Sequence, residues 1–389
     1  MDTVLARRMS LLGTESAFEV LARVRALEAK GKKVIHLQLG EPDFPTPAHV
    51  VEAGAAALRE GWTRYGPAAG LMDFRQALAA SAGAARGVPV AAEEVVVAPG
   101  AKPIIFYALL ALVDDGDEVL VPDPAYPTYD SVTRLAGGKP VPYGLPERNG
   151  FAPDPDELAS LITPRTKVVV LNSPGNPCGG VASAADLTRI AEVLRPTGAW
   201  VMSDEIYADI LFEGEHRSIL SLPGMRERTV VVDGFSKNFS MTGWRLGFGL
   251  MPTSLVPAVT RLQINAVSCP SPSVQRAGLA ALKGPRDFVD TMVREFRVRR
   301  DLFVADLNTV RGFRCLPPRG AFYAWVNIEG TGKTGREVAD LLLSEGGVAG
   351  VSGASFGASG ERFIRFSFAA SRENLAAAAE AMRRVFGRA

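Results

Sequence analysis

The chain has 389 residues, too many for one ordinary hydrophobic core, so two domains or one large α/β domain with an attachment are expected. Its 47% hydrophobic and 22% charged residues and net charge of +1 give no electrostatic reason to bind nucleic acid or a membrane surface. The apolar run Ile104–Val113 is too short for a bilayer span, and no apolar segment follows Arg7 and Arg8, so no secretory signal is expected and the cytoplasm is the default location.

Residues 15–30 carry apolar side chains at Phe18, Leu21, Ala22, Val24 and Leu27, the spacing of an amphipathic helix. An alternating strand from Val34 runs into a Gly/Pro loop, Gly40 to Pro47. That loop reads as a stiff spacer, although Gly40 would admit a ligand close to the backbone. Val50–Glu60 is helical, residues 61–70 form a loop, and Leu71–Ala84 is a helix. Tyr65 in that loop suits either surface packing or a polar contact through its hydroxyl.

From residue 95 the rhythm changes. Short β-branched runs recur at Val95–Ala98, Glu118–Val121, Lys167–Leu171, Ala199–Met202 and Thr229–Val232, with helical patterns between most of them. One of those helices opens on a capping box, Ser183 to Asp186. Such alternation predicts a largely parallel sheet covered by helices on both faces. Beyond Gln275 a helical pattern dominates, above all Phe288–Val310. Strands at Ala321–Asn327, Val348–Val351 and Phe363–Phe368 and a last helix, Glu373–Phe386, complete a second, α+β domain.

In sheets of this kind ligands lie beyond the carboxyl ends of the strands. The first run ends in Pro99-Gly100-Ala101-Lys102, a glycine turn opening a helix whose amides suit a phosphate, as well as being an ordinary strand–helix turn. The second ends near Tyr126, set between prolines, fit either to stack on a planar ring or to be core. The third ends in Asn172-Ser173-Pro174-Gly175-Asn176-Pro177, fixed amide donors or plain turn chemistry. The fourth ends in Asp204, costly at a buried strand end unless it meets a cation, with Tyr207 three residues on. The fifth leads to Ser236 and Lys237, with Arg245 eight residues further. A lysine there either snorkels to water or becomes a nucleophile of depressed pKa. The three histidines and three cysteines are scattered, so a zinc site or a Ser-His-Asp hydrolase is poorly supported and a reducing compartment is indicated. Jointly the strand ends complement an anionic phosphate, a flat ring with a basic nitrogen, a phenolic oxygen and an aldehyde, the parts of pyridoxal 5′-phosphate.

With Ser236-Lys237, Met241-Thr242-Gly243-Trp244-Arg245-Leu246-Gly247, Ser203-Asp204-Glu205-Ile206-Tyr207 and Asn172-Ser173-Pro174-Gly175-Asn176-Pro177 in this order, the chain resembles the fold-type I pyridoxal-phosphate enzymes. Within them it resembles the class I/II aminotransferases, most of all the bacterial aspartate aminotransferase subgroup, over nearly its whole length. The resemblance implies a mostly parallel seven-stranded sheet between helices and a smaller α+β domain. The expected division is an N-terminal segment, residues 1–47, that joins the small domain, a large cofactor-binding domain over 48–275, and the small domain over 276–389.

It further implies that Lys237 anchors the cofactor covalently and then moves the substrate proton. Asp204 would pair with the ring nitrogen, Asn176 and Tyr207 with the ring oxygen O3′, and Tyr126 would stack on the ring. Gly100 with the amides of Ala101 and Lys102, together with Ser236 and Arg245, would hold the phosphate, and Tyr65 would reach the phosphate of a neighbouring subunit in a homodimer. Arg365, aided by Gly40 and Asn176, would bind the substrate carboxylate. Phe363, Arg365 and Ser367 share one strand face, so the arginine leaves the apolar side, and a guanidinium suits a bidentate carboxylate clasp. Gly234 and Cys178 depart from the family's usual serine and threonine. The implied reaction is ping-pong transfer of an amino group from an L-amino acid to a 2-oxo acid such as 2-oxoglutarate, with aspartate-type or broad specificity. Rival readings are a C–S β-lyase on the same scaffold and a non-catalytic ligand-sensing domain. Phe18 would suit an apolar or aromatic substrate side chain, or a place in the core.

Overall fold

The computed structural model of the chain describes residues 5–13 and 16–389. The first expected helix is α1 (Ser16–Glu28); Glu15, where the expected span began, lies outside the described residues. The strand expected from Val34 shortens to β1 (Ile35–His36) before the Gly/Pro loop. Helix α2 (Ala48–Arg59) begins directly after Pro47, and α3 (Met72–Arg86) stops at Gly87, whose φ of 67° supplies the left-handed cap.

Seven strands then build the main sheet. The first three are β2 (Val95–Ala98), leading into α4 (Lys102–Leu112), β3 (Glu118–Asp123), followed by α5 (Thr128–Leu135), and β4 (Lys139–Gly144), followed by α6 (Pro155–Leu161). Next come β5 (Thr166–Asn172), α7 (Ala184–Leu194), β6 (Trp200–Asp204), β7 (Thr229–Gly234) and β8 (Gly247–Leu250). The capping box forms as expected: Ser183 Oγ accepts from Asp186 N at 3.1 Å, and Asp186 Oδ2 accepts from Ser183 N at 2.9 Å. The order across the sheet is β2-β8-β7-β6-β5-β3-β4. Among these seven, β8 runs against the rest. Alternate residues feed opposite faces. Val168 and Val170 pack in a core with α4, α5 and the following α8 (Val256–Val267). Val169 and Leu171 face α6 and α7, while Val95 and Val97 face α2, α3 and α9 (Pro272–Lys283). The result is a three-layer α/β unit.

The C-terminal part starts with α10 (Asp287–Leu307) and β9 (Arg314–Cys315). It continues through β10 (Tyr323–Asn327), α11 (Gly335–Leu341), β11 (Val348–Ala349), β12 (Val351–Ser352), β13 (Phe363–Ser367) and α12 (Arg372–Phe386). Strands β12-β13-β10-β9 form an antiparallel sheet, and α10 and α12 bury an aromatic core against it that includes Phe296, Phe303, Phe322 and Phe366. The single strand expected over 348–351 is two: β11 pairs in parallel with β1, and β12 pairs with β13. Gly350 separates them and lies so close to the Phe366 ring that a Cβ there would overlap it. The expected division at 275/276 falls inside α9, whose Ala277, Leu279 and Ala281 share a core with Val50 of α2 and with Phe74 and Leu78 of α3. None of the described helices is long and apolar enough to cross a membrane.

Candidate active site

Because β5, β6 and β7 run in parallel, the residues that follow them emerge on one edge of the sheet. Strand β8 enters from that same edge, so Arg245, which precedes it, arrives beside groups that follow the other strands. There they line a cavity of about 500 Å³, closed on its far side by Gly40, Tyr323, Val351, Phe356 and Arg365.

One end of the cavity is built for an anion. Ala101 and Lys102 open α4, where amides lack partners within the helix and the dipole is positive. Gly100, with φ of 100°, backs on the Arg245 guanidinium so closely that a Cβ would overlap it, and a Cβ on Gly247 would overlap the Ala101 amide nitrogen. Arg245 itself has φ of 58°, a costly conformation for a bulky residue and one that marks a functional constraint. Its Nη1 donates to Thr242 O at 2.8 Å and its Nη2 to Pro99 O at 3.3 Å, which aligns the guanidinium with the start of α4. Ser236 lines the same end. The departure at Gly234 has a steric reason: a Cβ there would lie 3.0 Å from both Gly247 Cα and Leu246 O.

The floor of the cavity is acidic. Asp204, the last residue of β6, is buried, and burial pushes its carboxyl up to about 6 despite hydrogen bonds from Tyr129 Oη at 2.6 Å and Ile206 N at 3.2 Å. Tyr126 lines the cavity, its ring edge-on to Tyr129 at 5.8 Å and its face toward Lys102 Nζ at 5.4 Å. Asn176 is fixed by a chain of amides: its N–H donates to Asn172 Oδ1 at 2.8 Å, and Asn172 Nδ2 donates to Asp204 O at 3.0 Å.

Lys237 and Arg365 both line the cavity. Lys237 Nζ donates to Gly40 O at 2.5 Å and lies 5.9 Å from the Phe322 ring centre. Arg365 is buried between the rings of Tyr323 and Phe356, its Cζ 4.5 and 4.8 Å from their centres. Its Nη1 donates to Asn176 Oδ1 at 2.9 Å and its Nη2 to Gln38 O at 2.6 Å, while Nε is buried without a hydrogen-bond partner. A buried, unsatisfied N–H on a guanidinium is the mark of a site that expects an acceptor. Tyr207 also lines the cavity, and its hydroxyl meets that of Tyr323 at 2.7 Å.

Of the expected site residues, Gly40, Ala101, Lys102, Tyr126, Asn176, Asp204, Tyr207, Ser236, Lys237, Arg245 and Arg365 thus come together, and Gly100 stands behind Arg245. Tyr65 lies outside the cavity, 88% exposed. Phe18, 60% exposed, forms part of the cavity mouth and is absent from the core. Cys178 is buried beside Phe151, Trp325 and Phe356, a packing position where burial pushes the thiol up. Sequence reasoning missed Tyr129, Tyr323 and a buried charge network behind the floor. In that network Arg86 donates to Glu205 at 2.8 Å and to Asp233 at 2.7 Å, and His216 lies 3.0 Å from Glu205. Burial would raise the Glu205 carboxyl, but Arg86 and His216 outweigh it and bring it to about 2. Tyr129 follows Tyr126 by three residues, in the first turn of α5, and its ring stands edge-on to that of Tyr126.

Residues 32–382 match the family described as aminotransferase class I and II. An aspartate aminotransferase of Rhizobium meliloti (strain 1021) is 38% identical over 389 residues, covering 96% of this chain and 94% of the relative. One of Pyrococcus abyssi (strain GE5 / Orsay) is 40% identical over 358 residues, 91% of this chain and 92% of the relative. The solved aspartate aminotransferase from Thermus thermophilus with maleate superposes with a TM-score of 0.94 at 36% identity, covering 98% of this chain and 100% of that one.

Proposed function

The chain belongs to the class I and II aminotransferases, enzymes that move an amino group with pyridoxal 5′-phosphate, and from that premise we propose how its own residues divide the work. The observation that carries the assignment is the convergence of a lysine, a buried carboxyl pushed up by burial and an unsatisfied guanidinium N–H on one cavity.

The cofactor's parts fit what this cavity leaves unmet. A ring nitrogen that carries a proton suits the buried Asp204 carboxyl, and a phosphate suits the α4 terminus that Gly100 and Gly247 keep open beside Arg245. When bound, the cofactor supplies an electron sink that makes the substrate Cα–H acidic. Asp204 would keep that sink charged, and Tyr126 would stack on the ring. Arg365, held by Gln38 and Asn176, takes the substrate α-carboxylate with its remaining N–H groups and so sets the Cα–H toward Lys237. Lys237 Nζ, released from the Gly40 carbonyl, would take the substrate Cα proton and deliver it to the carbon across the transferred nitrogen, acting as general base and then acid. Tyr207 and Asn176 donate toward the ring oxygen.

Amino donors are L-amino acids and acceptors 2-oxo acids, with 2-oxoglutarate the proposed acceptor. We propose a homodimer in which Tyr65 completes the partner's phosphate site, supported by the exposure of that tyrosine. Residues 1–47 would move with the C-terminal body, since β1 pairs with β11, and the large domain would end after α9 rather than at residue 275. Three free thiols support action in the cytoplasm.

Lys237→Ala should leave a folded protein whose transamination, measured with a panel of amino donors and 2-oxoglutarate, falls by at least about 10²–10⁴-fold. Undiminished turnover would sink the assignment. With donor alone, the parent enzyme should release one equivalent of 2-oxo acid per site and stop; continued release without acceptor would point to the lyase.

A further inference from the structure

Tyr323 has no place in the division of labour above, yet it touches three of its members. It is buried, at the start of β10, paired in register with Ser367 at the end of β13. Its ring face carries the Arg365 guanidinium at 4.5 Å. Its hydroxyl meets that of Tyr207 at 2.7 Å, the two rings standing at 82° with centres 5.7 Å apart. Gly40 makes room for this hydroxyl: a Cβ at position 40 would overlap it.

Each hydroxyl has one hydrogen, so the direction of the bond between them decides what Tyr207 can offer a ligand. If Tyr207 donates to Tyr323, its hydrogen is spent. A ligand oxygen carrying negative charge beside Tyr207 draws that hydrogen to itself, and the bond between the tyrosines must then run the other way. Burial makes such a chain strong, because each bond polarises the next where water does not compete. We propose that Tyr323 is a positioning residue that donates to Tyr207, so that Tyr207 donates to the cofactor's ring oxygen, while the same ring face holds the arginine that receives the substrate carboxylate.

This inference rests on the cofactor site proposed above. Its consequence is electrostatic. Donation to the ring oxygen favours the negative charge there and so lowers the pH at which the nitrogen joining Lys237 to the cofactor loses its proton. Without the Tyr323 hydroxyl, Tyr207 donates more weakly and that pH rises.

The test is a spectrophotometric pH titration of the cofactor-loaded protein, in which the absorbance of the bound cofactor reports this proton. Tyr323→Phe keeps the ring under Arg365 and removes only the hydroxyl. The titration midpoint should rise by about half a pH unit, with cofactor stoichiometry and melting temperature held close to the parent's. Tyr207→Phe should raise it further, and adding Tyr323→Phe to that variant should change nothing more, because the relay acts only through Tyr207. A parent titration with an unshifted Tyr323→Phe midpoint would overturn the relay alone, as would additive shifts in the double variant. A parent protein with no cofactor absorbance that depends on Lys237 would overturn the site reading and the relay together.

Discussion

At the scale of single residues, the cavity is defined by a few buried polar groups on its wall. Asp204 is the clearest. Its carboxyl is held up to about 6 by burial, so without cofactor it is mostly neutral below that pH and ionised above it. Only the ionised form attracts a protonated ring nitrogen, so cofactor affinity should fall as pH drops through about 6. Asp204→Asn should weaken binding at neutral pH and flatten that part of the profile; equilibrium dialysis of the cofactor across pH 5–8 measures both, and an unchanged profile in the variant would refute the role. Individual side chains also mark the limits of reading the sequence. Lys237, Asp204 and Arg245 are legible because a charged residue next to an apolar strand demands an explanation. Tyr129 and Tyr323 are not, because a tyrosine beside apolar residues is indistinguishable from core until its hydroxyl has a partner. Gly40 was legible as a place of close approach, and what approaches it is the Tyr323 hydroxyl from within the protein.

At the scale of elements, five strands of the main sheet announce themselves through β-branched runs, and two do not. Strand β4 contains Pro140 and Pro142, tolerated because it is the edge of the sheet. Strand β8 is Gly247-Phe248-Gly249-Leu250, and both glycines are forced by neighbours: Gly247 by the start of α4, Gly249 by Ile104 and Met251. The requirement that removes its strand signature is thus the one that brings Arg245 to the site. Behind the floor, Arg86 at the end of α3 clamps the ends of β6 and β7 through Glu205 and Asp233, next to Asp204 and before the turn to Lys237. Arg86→Met should strand two buried carboxylates and cost about 3–5 kcal/mol, seen as a lower denaturant midpoint. Stability equal to the parent's would mean that the clamp is dispensable.

For the whole molecule, the proposed homodimer would complete each site only when two copies meet. Leu58, Met72, Ile264 and Val267 are exposed apolar side chains near the loop that bears Tyr65, whose Gly66 N–H donates to Cys269 Sγ at 3.4 Å. Burying them against a second copy would remove that exposure. Sedimentation at micromolar concentration should give twice the chain mass, and Tyr65→Phe should weaken cofactor binding about tenfold without dissociating the dimer. A monomer that retains full activity would rule out the shared site.

The pairing of β1 with β11 has a consequence for how the chain comes into being. Gln38 O and Leu37 O, near the start, accept hydrogen bonds from Arg365 and Ser367, more than three hundred residues later. During synthesis the ribosome exposes the N-terminal segment first, yet its partners emerge almost last. The anion-binding edge of the main sheet can assemble from a contiguous stretch, whereas the carboxylate clasp must wait for nearly the whole polypeptide and closes a loop of more than three hundred residues. A chain released early would therefore have Lys237 and Asp204 but nothing to orient an amino acid against them.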